Sequence, residues 1–374
     1  MINLYTPIKG TWERLNSNEL DSLSVKNIED FGRKTDCDFP KNLDDINVSD
    51  DPIKWSEKIG PMKDRGNPSG LVIKNGYIIA EWGDPGRVDM IFSVTKTFLP
   101  VITGIAYDKG LIKSADAKLR DVEKRISLKM SDGKSIDGYD TRQNKDISWK
   151  HLLQQTSEWE GTLFTKPDLV DWNRSMPDMN PTTRVNRMKP GTHWEYNDVR
   201  VNRMALSLLC VFEQPLPEIL KNNVLDPIGS SDTWEWYGYG EHSTVLLNNV
   251  PFESVPGGGH WGGGLWIDTY DLARLGMLLL NNGFWNGKTI ISSKWIQKML
   301  TPSGINPAYG FMIRLNTKNR LYGAIASEKS FSATGAGGNA VFVDPKRELI
   351  IVTRWCGNVN GLIELVLKSL KTVA

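Results

Sequence analysis

Asp89-Met-Ile-Phe-Ser-Val-Thr-Lys-Thr-Phe-Leu-Pro100 is the stretch on which the reading of the chain turns. From Phe98 the apolar residues Ile102 and Ile105 recur at steps of four and three, the spacing of a buried helical face. Gly110 closes the run as a C-terminal stop. A helix that starts near Ser93 places Ser93 and Lys96 on the same side of its first turn. Free N–H groups and the positive end of the dipole favour a developing negative charge there. A serine hydroxyl becomes a useful nucleophile when a neighbour takes its proton. A lysine discharged by burial or by nearby positive potential can fill that role. Spacing alone does not decide the matter, because Ser131 and Lys134 repeat it in the polar run Lys129 to Asp140, which reads as a solvated loop. Ile91, Phe92 and Phe98 set the first pair apart as partly buried.

Composition narrows the alternatives. A chain of 374 residues holds one large domain or two ordinary ones. Its 40% hydrophobic and 24% charged residues are those of a globular protein, and 45 Lys plus Arg against 44 Asp plus Glu create no field for nucleic acid or an anionic membrane. The start, Met-Ile-Asn-Leu-Tyr-Thr-Pro, lacks the charged and apolar regions of a secretory signal, and Cys37, Cys210 and Cys356 are odd in number and far apart. These features lead us to expect reduced thiols and a cytoplasmic location. No two of His151, His193, His242 and His260 share a helical metal-ligand spacing, so neither a metal nor a cofactor is expected. The nucleophile-elbow pattern Gly-x-Ser-x-Gly is absent, which weakens an α/β-hydrolase reading.

In chain order, residues 1–65 read as a polar extension wrapping the body, with acidic clusters at Asp44-Asp45 and Asp50-Asp51. Gly70 to Trp82 is a hairpin around Asn75-Gly76. Helical patterns dominate from about 98 to 300. They include a start at His151-Leu-Leu-Gln-Gln-Thr, the run Val201 to Phe212, and Asp268 to Leu280 with Asp268 or Thr269 as N-cap. Strands return at Phe311 to Leu315, Ala340 to Val343 and Leu349 to Trp355, and Leu362 to Val373 reads as an amphipathic helix. The expected class is α+β. Residues 66–92 and 301–374 share an antiparallel sheet carrying the terminal helix, and 93–300 form an inserted, mostly helical subdomain within one catalytic unit.

This order of segments resembles the serine β-lactamase and penicillin-binding-protein superfamily, most closely the class C branch with its esterases, D-aminopeptidases and 6-aminohexanoate-dimer hydrolases. Ser93-Val-Thr-Lys96 matches the first box outright. Pro190-Gly-Thr-His-Trp-Glu-Tyr-Asn-Asp198 approaches the second, Tyr-x-Asn, with Tyr196 in place but Asp198 for the asparagine. Ala333-Thr334-Gly335 approaches the third, Lys-Thr-Gly or His-Thr-Gly, just before the strand from Ala340. The resemblance covers about residues 65–374 and implies a β-lactamase-like fold: an antiparallel sheet flanked by helices, with the inserted helical subdomain.

It also implies a chemistry. Ser93 attacks a carbonyl to form an acyl-enzyme, and Lys96 and Tyr196 share the proton transfers. The backbone N–H groups of Ser93 and Ala336 form the oxyanion hole, a type of donor worth about 3 kcal/mol. Asp198, Thr334 and Gly335 lie on the substrate side, with Asp198 able to hold Lys96, bind a substrate amine or cap the following helix. Because Ala333 carries no charge and residue 198 is an acid, a small ester or amide is expected in preference to an acidic substrate. A non-catalytic ligand-binding relative and a β-lactamase or D,D-peptidase are the alternatives. Trp159, Trp194, Trp234, Trp236, Trp261 and Trp266 lie in the insertion, some as acyl-pocket walls and most as core. The Gly-rich run Pro256 to Gly264, followed by no Gly-Lys-Ser/Thr, reads as a tight loop at the cleft rim instead of a phosphate site.

Overall fold

Two runs rich in β-branched and aromatic residues pair across Asn75-Gly76, forming β1 (Ser69–Lys74) and β2 (Tyr77–Trp82). Asn75 and Gly76 both take positive φ, 54° and 91°, as a type I′ turn requires. The computed structural model describes residues 5–15, 20–46, 55–124, 126–171, 187–259 and 261–370. Asp50, Asp51, His260 and the last residues of the terminal helix read from the sequence fall outside these. Three further segments matter for the site: β3 (Asp89–Met90), β4 (Glu235–Tyr237) and β5 (Gly264–Ile267), which form a small sheet in the order β3-β5-β4.

The main sheet is completed from the far end of the chain by β6 (Arg314–Leu315), β7 (Phe331–Gly335), β8 (Asn339–Asp344) and β9 (Leu349–Arg354). The order is β6-β7-β8-β9-β1-β2, and each neighbouring pair is antiparallel. Its strands bury both faces, and the period of two assigns side chains to different cores. Leu71, Ile73, Val341, Val343, Ile350 and Val352 join the large core. Val72, Phe342, Leu349 and Ile351 join the smaller core on the other side.

Helix α1 (Ser22–Lys34) packs on β2 and on the terminal helix (Val359–Ser369), and Ile28, Leu362 and Val366 fill the smaller core. Between them in sequence come α2 (Phe98–Asp108), α3 (Asp198–Phe212) and α4 (Thr269–Leu280). Helix α4 lies across β1, β8 and β9 from the other side, and Gly276 lets it approach Val341 and Ile350. The molecule is therefore a β-lactamase-like α+β fold, a sheet between helical layers with a mostly helical insertion.

Two strands depart from the sequence reading. Phe331-Ser-Ala-Thr-Gly335 forms β7, although its small and polar residues do not read as a strand. Pairing with β8 on one side and β6 on the other supplies what propensity lacks. Conversely, only Arg314–Leu315 of the run Phe311 to Leu315 is strand, because Met312 takes a left-handed backbone, φ 49°.

Asp268 caps α4, accepting from the Asp271 N–H at 2.7 Å. Burial first, and the Asp271 carboxylate second, push the Asp268 carboxyl up to about 7. A carboxyl that titrates near 7 folded and about 4 unfolded binds its proton more tightly in the native state. Stability from this group therefore falls as pH rises from about 4 to 7 and is level above that. Asp268→Asn keeps a capping oxygen and removes the titration. Urea midpoints at pH 5 and pH 8 should lie closer together in the variant than in the natural protein, and an unchanged gap would show that Asp268 ionises normally.

Candidate active site

The nucleophile turn is held from below by β3, which pairs with β5 through Met90 and Trp266. Ile91 N–H continues that pairing onto the Leu265 carbonyl at 3.1 Å. Phe92 then takes φ 46°, and Phe92–Thr97 winds as a tight 3-10 turn into α2. The α-helix itself begins at Phe98, later than the start near Ser93 that the sequence pattern suggested, and Ser93 and Lys96 share one side of the 3-10 turn that leads into it. Lys96 Nζ donates to Ser93 Oγ at 2.8 Å.

Lys96 is only 2% exposed. Asp198 Oδ1 lies 2.7 Å from its ammonium, and the Tyr196 ring centroid stands 4.9 Å from the same nitrogen. Burial depresses the lysine, but the charges and hydrogen bonds of Asp198 and Tyr196 outweigh it and hold Lys96 above its ordinary range. The resting group is an ammonium. Alcohol, amine and phenol, from two distant stretches of chain, thus meet at one point.

Asp198 does not cap α3. The side chain of Asn197 does, accepting from the Arg200 N–H at 3.0 Å. Asp198 occupies the first helical position, where the dipole favours a negative charge, and its own N–H donates to Asp171 Oδ2 at 2.6 Å. A Cβ on Gly258 would sit 2.6 Å from Lys96 Nζ, so the glycine run reaches the amine itself. The run was legible as a tight rim loop, whereas the role of Gly258 needs the tertiary contact.

The opposite wall is the β6–β7 edge. Ser93, Lys96, Tyr196, Tyr309, Arg314, Ser332 and Thr334 line a narrow cleft with about 10 Å³ of free space. Thr334 faces the cleft, and its Oγ1 accepts from Arg314 Nε at 2.8 Å. Ala333, the next residue inward, is buried in the main core, so a charge placed there would not reach substrate. The cation of this wall is Arg314, one strand over, which the sequence reading missed. Gly335 runs against the nucleophile turn: a Cβ there would lie 2.3 Å from the Ile91 oxygen and 3.1 Å from the nitrogen of Ser93. Ala336 follows directly in the chain.

Trp194 packs edge-on to Tyr309, centroids 5.5 Å apart, and against Tyr196 at 6.4 Å. Trp159, Trp236, Trp261 and Trp266 are core. Glu158, His193 and Glu195 bring three ligand-type atoms within 4.8 Å of one another. The Arg200 guanidinium already stands 3.2 Å from Glu158 and 3.5 Å from Glu195, so a positive charge occupies that pocket. A larger cavity, about 450 Å³ beneath Trp12 and Tyr270, lies away from Ser93 and is lined by none of the cleft residues.

The fold is shared with known proteins. The chain belongs to the Beta-lactamase family, whose profile matches residues 71–355. A curated Escherichia coli K12 relative, named "Putative D-alanyl-D-alanine carboxypeptidase", is 23% identical over 83% of this chain and 82% of its own length. The crystal structure of a family VIII carboxylesterase superposes with a TM-score of 0.55 at 19% identity, covering 81% of this chain and 92% of that one. A protein from Bacillus anthracis described as "Putative 6-aminohexanoate-dimer hydrolase" gives 0.54 at 16% identity over 98% and 97%. Members of this superfamily are hydrolases, peptidases, esterases and amidases among them. Among the described residues, no helix is long and apolar enough to cross a membrane.

Removing one member of a buried ion pair leaves the other uncompensated, at a cost of about 3–5 kcal/mol. Asp198→Ala should therefore lower the unfolding free energy by that order near pH 7, read by urea denaturation. A loss under about 1 kcal/mol, as for exposed pairs, would mean that water reaches Lys96.

Proposed function

We propose that this protein is a serine hydrolase that cleaves a small ester or amide through an acyl-enzyme on Ser93. The observation that carries the reading is the buried amine of Lys96, 2.8 Å from the Ser93 hydroxyl and 4.9 Å from the centroid of the Tyr196 ring in one cleft. Ser93 Oγ attacks the carbonyl carbon, its proton passes to the Lys96–Tyr196 pair, and the leaving group departs with a proton from the same pair. Because Asp198 keeps Lys96 charged, the amine works as donor and electrostatic anchor, and the acceptor in acylation is Tyr196 as its phenolate, which becomes the neutral phenol and passes that proton to the leaving group. The Ser93 and Ala336 N–H groups receive the oxyanion. Water then attacks the acyl carbonyl, with the pair acting in reverse.

Arg314 changes the expected substrate. Its Nε is engaged by Thr334, and its exposed side chain lines the same cleft. A substrate bearing a carboxylate on the Thr334 side fits this wall better than a neutral one, contrary to what Ala333 alone suggests. The peptidase names of the curated relatives are compatible with such a substrate.

A fluorophosphonate probe followed by peptide mapping should label Ser93, and Ser93→Ala should lose both label and turnover. Folded protein unlabelled at Ser93 would point instead to a ligand-binding relative without catalysis. Tyr196→Phe should lower kcat by about 10²- to 10⁴-fold; a near-silent change would remove the phenol from the mechanism. Arg314→Ala should raise KM for a carboxylate-bearing ester about tenfold over its neutral isostere, the worth of one charge-assisted hydrogen bond. An unchanged ratio would return the preference to neutral substrates. Nitrocefin turnover matching that of good esters would favour β-lactam hydrolysis.

A further inference from the structure

The chain before the hairpin reaches the site through three aromatic rings. Phe39 packs edge-on against Phe92, centroids 5.7 Å apart, and Phe92 packs edge-on against Trp355 at 6.1 Å. Phe92 is the residue immediately before Ser93, and its left-handed φ of 46° is a conformation that costs a bulky side chain about 1–3 kcal/mol unless its surroundings enforce it. The enforcing surroundings are a small separate core of Leu43, Met90, Phe92, Trp266 and Trp355, with Phe39 packed against it.

The same two outer rings touch the other half of the oxyanion hole. A Cβ on Gly337 would stand 2.8 Å from the Trp355 ring and 3.3 Å from Phe39 Cδ2, so the backbone just past Ala336 rests on both. Phe39 therefore packs on the side chain that precedes Ser93 and beside the backbone that follows Ala336.

Phe39 is itself clamped. The Arg65 guanidinium, its side chain only 2% exposed, donates to the carbonyls of Cys37 (3.2 Å), Phe39 (2.6 Å) and Pro40 (3.2 Å) and to the Asp36 carboxylate (2.8 Å). Its carbon centre lies 5.4 Å from the Trp355 ring centroid, stacking the clamp on the third ring. Trp355 is tied down in turn by donating Nε1 to Asp89 Oδ2 at 2.9 Å.

We infer that Phe39, fixed by Arg65, is a positioning residue that holds the Ser93 and Ala336 N–H groups at the spacing an oxyanion requires. The stretch from Asp36 to Pro40, with Arg65, is then part of the site's framework. This rests on the reading of Ser93 as nucleophile.

The test uses the full chain and a probe that reports on the hole, phenylboronic acid, whose boron bonds to Ser93 Oγ and presents an oxygen to the two N–H groups. Phe39→Ala should lower kcat on an ester at least tenfold with KM within twofold, and weaken boronate inhibition by the same factor. Phe39→Tyr, which keeps the ring, should remain near the natural protein. If Phe39→Ala does not yield folded protein, Phe39→Leu carries the test, with a matched but smaller loss in kcat and boronate affinity. Unchanged kcat and boronate affinity per folded molecule, even with a lowered Tm, would reduce Phe39 to a structural role and overturn the inference. Turnover retained by Ser93→Ala would instead sink the underlying serine-hydrolase reading, and the inference with it.

Discussion

An ammonium taken out of water costs several kcal/mol unless an anion meets it in the interior, and Lys96 is in that position. Its partner, Asp198, is available only because Asn197 has taken over the capping of α3, leaving the next carboxylate to point at the amine. Asp171 fixes the backbone of that residue, and Gly258 leaves the space in which the amine sits. Tyr196, two residues earlier, is carried to the same nitrogen by the same approach of chain. The helical insertion and the sheet are thus joined where charge balance tolerates little displacement.

That balance also separates this site from one built on an asparagine. A neutral amide at 198 would leave the lysine with Tyr196 as its main support against burial, which favours the discharged form. With an aspartate the amine stays charged, and the division of labour between amine and phenol shifts accordingly. The charge on the far wall has moved in a comparable way. Position 333 on β7 is an alanine facing the core, and the guanidinium of Arg314 enters from the neighbouring strand to bond Thr334. Arg314 pairs with Ser332, so its side chain shares a face with Ser332 and Thr334 and not with Ala333.

What could be read from the sequence was local. The hairpin around Asn75-Gly76, the α4 cap at Asp268 and the Ser93–Lys96 turn each depend on residues within a few positions of one another, and each is present. The resemblance added Tyr196 and the Thr334-Gly335 segment, and the structure brings both to the cleft. What stayed hidden was set by partners far along the chain. Phe331 to Gly335 is a strand because β6 and β8 flank it, Arg314 matters because of Thr334, and Gly258 is a glycine because of Lys96. The helix at Ser22–Lys34 lay unread in a polar segment, since its support is tertiary, from β2 and the terminal helix.

The pairing of β1 with β9 joins Ser69 to Arg354, so the middle of the main sheet is closed by segments from nearly opposite ends of the chain. During synthesis the hairpin emerges early and must wait, one edge unsatisfied, until almost the whole polypeptide has left the ribosome. Such distant closure slows folding and exposes an apolar strand edge meanwhile. Truncated translation products of this protein would therefore be without a working cleft and would carry an open edge prone to aggregation.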